Sequence, residues 1–318
     1  MTGKLTREVL EALVLSRTGA PRSDVSVGPT YGEDAAAVDV GGETLVVSTD
    51  PISLAAERIG TLAVAVASND VAASGGAPAH LLATVLLPQM DESTLDSVTA
   101  QLDAEAERLG LAIVGGHTES VAGLARPLVS LTCLGVAERY VPTGGVTPGD
   151  RLVLTKGAGI EATAVLATDF REATGLDDAT LDDGADFFGD LSVMPEAATL
   201  SPVATAMHDP TEGGVLGGLA EMAAASDCRL RVERSAVPVR ETTRVVCEPM
   251  GVDPLSVLGS GALLAAVAPA DVDDALAALE EEGIEAAEVG VAEEGSGVSL
   301  DGELQPTPVR DEMYDLWD

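Results

Sequence analysis

A chain of 318 residues with 46% hydrophobic side chains is long enough to bury the cores of two ordinary domains. Its 53 Asp and Glu against 17 Lys and Arg leave a formal charge of −36, which disfavours nucleic acid as a partner because phosphates would be repelled. Val, Ala and Leu recur too regularly for a disordered chain, so the acids are expected to coat a folded surface of halophilic type, where salt screening shortens their mutual repulsion.

The opening MTGKLTREVLEALVLSRTGA has no apolar run behind a basic segment. It reads as an amphipathic helix over 6–16, not an export signal, and the protein is expected in the cytoplasm. Strands are predicted at 36–40 and 44–48, a helix over 55–73, a strand over 81–87, a helix over 92–109 closed by Gly110, and strands at 112–114 and 127–136. The uncharged stretch 71–90 contains Gly75, Gly76, Pro78 and Pro88, so no membrane span is expected there. Gly144, Gly145, Pro148 and Gly149 then punctuate the chain, and a boundary is placed near Thr147, giving domains 1–147 and 148–318. Beyond it the pattern predicts strand 151–155, helix 160–168, helix 214–225, strand 229–233, helix 240–248, strand 262–267, helix 270–282 and strand 286–291. Residues 169–190 have little apolar periodicity and read as a solvated loop or exposed helix. The alternation implies α/β or α+β layers in both halves. Cys133, Cys228 and Cys247 are isolated, without Cys-x-x-Cys spacing, and read as buried thiols.

Three acidic segments fall within the first seventy residues: Glu33-Asp34, Asp50 at the end of the apolar TLVVSTD, and Asn69-Asp70 inside LAVAVASNDVAAS. An acid at the carboxyl end of a strand is where α/β folds often place site residues. Asp70 interrupts an apolar helix, where an unpaired carboxylate costs several kcal/mol, so it needs a partner: a divalent cation, an Arg or backbone N–H groups. ASGGAP, VGGHTE, TKGAGIE, HDPTEGG and LGSGALL read as glycine-bearing loops that can aim backbone N–H groups at phosphate oxygens. None is a Walker A sequence, and no Gly-x-Gly-x-x-Gly follows a first strand. Lys156, one of two lysines with Lys4, reads either as a phosphate or substrate contact or as a solvated strand-end residue. Glu161 and Glu212 read as acid or base groups, or as first-turn helix residues favoured by the dipole. His208 reads as a partner of Asp209 or as a loop histidine.

GEDAA, STD, ND, SGGAP, GGHTE and DPTEGG, in this order, resemble the aminoimidazole ribonucleotide synthetase family, the PurM-like proteins, over most of the chain. That family includes HypE, selenophosphate synthetase and thiamine-monophosphate kinase, and DPTEGG is most similar to the archaeal HypE-like, AIR synthase-related branch. The resemblance implies a two-domain α/β subunit that forms a homodimer through its amino-terminal domain, binds ATP and Mg²⁺ near that interface, and transfers the γ-phosphoryl group to an oxygen of a small substrate. It implies Asp34, Asp50, Asp70 and Glu119 as metal ligands; Asn69, Gly115, Gly116, Thr118, Gly213 and Gly214 around the nucleotide; and Asp209 and Thr211 closing the site, to which we add Lys156. HypE works through a cysteine at its extreme carboxyl terminus, and this sequence has none after Cys247, so conversion on its own tail is not expected. A nucleotide-binding scaffold without catalysis, or a thiamine-monophosphate kinase-like phosphotransferase, are the rival expectations.

Overall fold

The computed structural model describes residues 3–317. Helix α1 (Arg7–Leu10) continues as a π-helical segment over Glu11–Leu15, and β1 (Val25–Val27), β2 (Ala36–Val40) and β3 (Glu43–Ile52) follow. Then come α2 (Ile59–Ala73), β4 (Gly76–Leu87), α3 (Glu92–Leu109), β5 (Ala112–Ser120) and β6 (Leu128–Ala137). The six strands make one sheet in the order β1-β2-β3-β6-β4-β5, antiparallel except for the β4–β5 pair. Gly110 ends α3 with φ 73°, the left-handed cap its position predicts.

The second half carries β7 (Arg151–Thr155), α4 (Ile160–Thr168), α5 (Arg171–Thr174), α6 (Asp178–Ala185), α7 (Met194–Leu200), β8 (Ala204–His208) and α8 (Gly214–Ser226). It continues through β9 (Arg229–Val232), α9 (Glu241–Cys247), β10 (Leu264–Val267), α10 (Val272–Glu281), β11 (Ala286–Glu293), β12 (Gly297–Leu300), β13 (Glu303–Leu304) and α11 (Tyr314–Trp317). Its sheet runs β13-β12-β9-β11-β7-β10-β8. The three cysteines are free and buried. Among the described residues no helix is long and apolar enough to cross a membrane.

The position of α2 determines where a site can form. Every one of its residues is buried, because the helix packs on the first sheet with one side and on the second half with the other. Leu62 and Ala65 join the cluster around Ile160 and Leu166, while Ala72 and Ala73 join the one around Val153 and Leu263. Its many alanines let helix and sheet approach closely, and an apolar helix buried all round needs no polar stripe. Asn69 and Asp70 are thereby drawn into the seam between the halves.

Three readings of the sequence need correction. Residues 169–190, read as a solvated loop or an exposed helix, form α5, α6 and a 3-10 turn; α6 does expose Asp178, Asp182 and Asp183, but Leu181, Phe187 and Phe188 are buried on the side of α4 and α9. The GGHTE segment is not a loop either, since β5 continues through Ser120 as an edge strand whose nine residues are all exposed. Strand β4 likewise begins at Gly76, inside the SGGAP segment. Strand β8 and helix α7 are elements that periodicity did not announce.

Candidate functional site

Asp34 precedes β2, Asp70 lies in α2, and Asp209 follows directly on β8. The two halves meet so that one carboxylate oxygen from each lies within 4.8 Å of the others. Asp70 and Asp209 are buried, and neither oxygen of Asp209 has a hydrogen-bond partner among the described residues. Burial first, then the neighbouring carboxylates, holds both carboxyls well above the usual range. Asp50 is hydrogen-bonded to Asp70 and is also raised, by burial and by Asp34. The Ser48 hydroxyl donates to the other side of Asp70. Two buried oxygens without a donor, facing two further acids, are an arrangement that a divalent cation relieves. Oxygen-only donors suit Mg²⁺. The residues present therefore fit the metal.

A pocket of about 160 Å³ opens beside the cluster and is lined by Asp34, Asp50, Asp70, Glu161, Thr211 and Glu212, with Lys4 and Tyr314 contributed by the two ends of the described chain. His208, expected as a partner of Asp209 or as a loop histidine, ends strand β8, and its ring nitrogens pair with Asp34 and Glu221. Its Nδ1 is 3.1 Å from Asp34 and its Nε2 is 3.0 Å from Glu221. Burial alone would lower the imidazolium, yet Asp34 and Glu221 outweigh it and hold the pKa at about 10. The Lys4 ammonium joins Glu221 at 3.0 Å and Glu212 at 3.5 Å. Burial would raise Glu221, but His208 and Lys4 together depress it to about 2. Glu33, beside Asp34, accepts from the Tyr140 hydroxyl and from Thr143 N and Gly144 N, which ties the first half to the linking segment 138–150.

Several residues expected in the site serve elsewhere. The Asn69 amide donates to Leu191 O at 2.8 Å and accepts from Val193 N at 2.9 Å, so it holds segment 190–193 and does not face the pocket. Lys156 is partly buried, with its ammonium bonded to Asp190 O, Ser192 O and Glu196. All three of its donors are engaged, which leaves none for a phosphate. At the start of α8 the Gly213 N–H donates to the Asp311 carboxylate at 2.7 Å and the Gly214 N–H to Thr211 O at 3.1 Å. A side chain of the protein therefore already caps the helix end expected to receive an anion.

Gly115, Gly116 and Thr118 line a different, shallow cavity of about 620 Å³ with Asp96 and Thr99 of α3. Gly116 is glycine for a local reason, since a Cβ there would stand 1.8 Å from Ala83 O of the paired strand. Glu119 is exposed, lies 3.6 Å from His117 and does not line the pocket beside the aspartates. Sequence reasoning passed over Lys4, Glu221, Asp311 and Tyr314. Their only signal was an isolated charge or aromatic ring in a chain with few lysines and few rings.

Residues 32–137 match the family described as AIR synthase related protein, N-terminal domain, and residues 147–303 match its C-terminal domain. The carbamoyl dehydratase HypE of Escherichia coli (strain K12) is 32% identical over 289 residues, which make up 85% of this chain and 84% of that protein. The crystal structure of E. coli HypE superposes with a TM-score of 0.75 at 30% identity, covering 88% of this chain and 92% of that one. A hydrogenase maturation protein HypE solved in complex with ATP gives a TM-score of 0.70 at 25% identity, covering 94% and 91%.

Proposed function

We propose, on the premise that this chain belongs to the AIR synthase related family, that it is a Mg²⁺-dependent enzyme that binds ATP and transfers the γ-phosphoryl group to an amide, carbonyl or related oxygen of a small substrate. The observation that carries the reading is Asp209, whose two buried and partnerless oxygens meet Asp34 and Asp70 across the seam. Likeness to HypE proteins, one of them solved with ATP, supports the choice of nucleotide. In this reading Asp34, Asp70 and Asp209 hold the ion, and Asp50 supports Asp70.

A bound Mg²⁺ would supply positive charge to phosphate oxygens, which is most of what phosphoryl transfer asks of a protein besides alignment. The chain's own residues set the geometry. His208, held charged between Asp34 and Glu221, fixes the Asp34 carboxylate and offsets part of the cluster's repulsion. Thr211 and Glu212 line the pocket from the second half. Asn69 and Lys156 act as positioning residues by anchoring segment 190–193 to α2 and β7. Gly115, Gly116, Thr118 and Glu119 enter the reading only through a second copy of the chain, whose open β5 edge would face the pocket in a homodimer.

Titration calorimetry with Mg²⁺ and with MgATP in concentrated KCl tests the assignment. Asp209→Asn and Asp70→Asn are each expected to weaken Mg²⁺-dependent nucleotide binding at least about tenfold, roughly 1.4 kcal/mol. Wild-type affinity in both variants would refute the metal site.

A further inference from the structure

The segment 3–15 reaches the pocket with Lys4 and is held there by few contacts. The Lys4 ammonium bridges Glu212 and Glu221, and the acids that face it also include Asp34. Gly3 lies against Tyr314, since a Cβ there would stand 3.1 Å from the ring. The Arg7 guanidinium lies over the ring of Tyr31, 5.1 Å from its centroid, on the loop that leads to Asp34. No residue of α1 or of the π-helical segment after it is buried, and Leu5, Leu13 and Val14 are each more than half exposed. Little apolar surface ties the segment down, and a stretch held mainly by exposed polar contacts opens at low cost.

The pocket that these contacts leave is about 160 Å³, below the roughly 300–1,000 Å³ of sites that enclose a small-molecule ligand. A nucleoside triphosphate needs more room. Lys4 also puts positive charge beside the carboxylates that gather at the metal site, because it shares the pocket lining with Asp34, Asp50 and Asp70. A divalent ion seated on Asp34, Asp70 and Asp209 would repel that ammonium, since like charges a few Å apart repel strongly where water is scarce. Ammonium and ion therefore compete for one set of acids. By linkage, each weakens the hold of the other by the same factor.

We propose that residues 3–15 form a strap that Lys4 fastens at the pocket through Glu212 and Glu221, and that a divalent ion at the aspartates unfastens it, enlarging the pocket for its nucleotide. The strap presupposes the Mg²⁺ site and the nucleotide proposed above.

Lys4→Gln removes the charge, and Lys4→Arg keeps it. Calorimetry in concentrated KCl, without nucleotide, is expected to show Lys4→Gln binding Mg²⁺ about three- to tenfold more tightly than wild type, and Lys4→Arg within about twofold of wild type. Hydrogen exchange read by mass spectrometry is expected to speed up over residues 7–15 of wild type when Mg²⁺ saturates, and to be fast in Lys4→Gln with or without the ion. Lys4→Gln binding Mg²⁺ no more tightly than wild type, or wild-type exchange over 7–15 that does not respond to Mg²⁺, overturns the strap. The Lys4 side chain is 43% exposed, and should a variant fail to fold, the exchange of wild type decides. A wild type that binds Mg²⁺ but not MgATP removes the phosphoryl-transfer reading and leaves the strap standing. Absence of Mg²⁺ binding in all three forms removes the metal site and the strap together.

Discussion

His208 shows how one side chain can hold several acids in place. Pairing it with Asp34 and Glu221 leaves a buried imidazolium whose removal takes the cation from Asp34 and leaves Glu221 with Lys4 alone. His208→Gln is expected to cost about 3 kcal/mol of stability at pH 7, because breaking a buried pair leaves charge uncompensated. The pH dependence follows from the direction of the shift. A histidine whose folded pKa of about 10 exceeds its ordinary 6.5 contributes fully below pH 6.5, and the contribution is lost as the pH rises toward 10. Urea unfolding of wild type should therefore weaken by a few kcal/mol between pH 7 and 10, and the variant should lack that slope. An equal slope in both would show that His208 is not charged in the fold. The raised carboxyl of Glu161 also loses stability with rising pH, but in a lower window, from 4.5 to about 7.

At the scale of elements, α2 and its contact with α3 carry the argument. Gly60 lies where the two helices cross, and a Cβ there would stand 2.6 Å from Val98 O and 2.7 Å from the Gln101 Cβ. Helix propensity alone favours alanine at such a position by about 1 kcal/mol, while overpacking costs about 1–3 kcal/mol. The contact distances are short enough for overpacking to win, so Gly60→Ala should lower stability by about 1–2 kcal/mol in chemical denaturation. A stabilised variant would mean that the helices part easily. Much of this layer was legible: an acid near the end of β3, at Asp50, and another inside an apolar helix are local signals that survive in one sequence. The 169–190 segment was not legible, because Leu181 lies in the eight-residue α6 and Phe187 and Phe188 in the 3-10 turn that follows, so no single period links them. GGHTE misled for the opposite reason. Its glycines look like a loop, but Gly116 serves the close pairing of β5 with β4.

For the whole molecule, the charge of −36 sets the conditions under which any of this can be observed. Two copies that approach through the first sheet bring like charges together, and the range of their repulsion falls from about 10 Å at 0.1 M salt to about 3 Å at 1 M. We expect sedimentation at 2 M KCl to give twice the 32.1 kDa chain mass, with the dissociation constant rising at least about tenfold by 0.1 M. A monomer at 2 M KCl would contradict both the dimer and the role of β5 in the site. What the sequence hid at this scale was the part played by distant residues. Lys156 looked like a phosphate ligand because Glu196 and the carbonyls that hold it lie more than thirty residues further on. Lys4 and Tyr314 reach the pocket from opposite ends of the described chain, which no local pattern reveals.

Asp34 and Asp70 come before the linking segment 138–150 and Asp209 after it, so the triad exists only while the halves are docked. A cation seated there would work as a rivet. Prying the halves apart would have to eject it, so resistance of the linker to a protease becomes a gauge of occupancy, readable without any knowledge of the substrate.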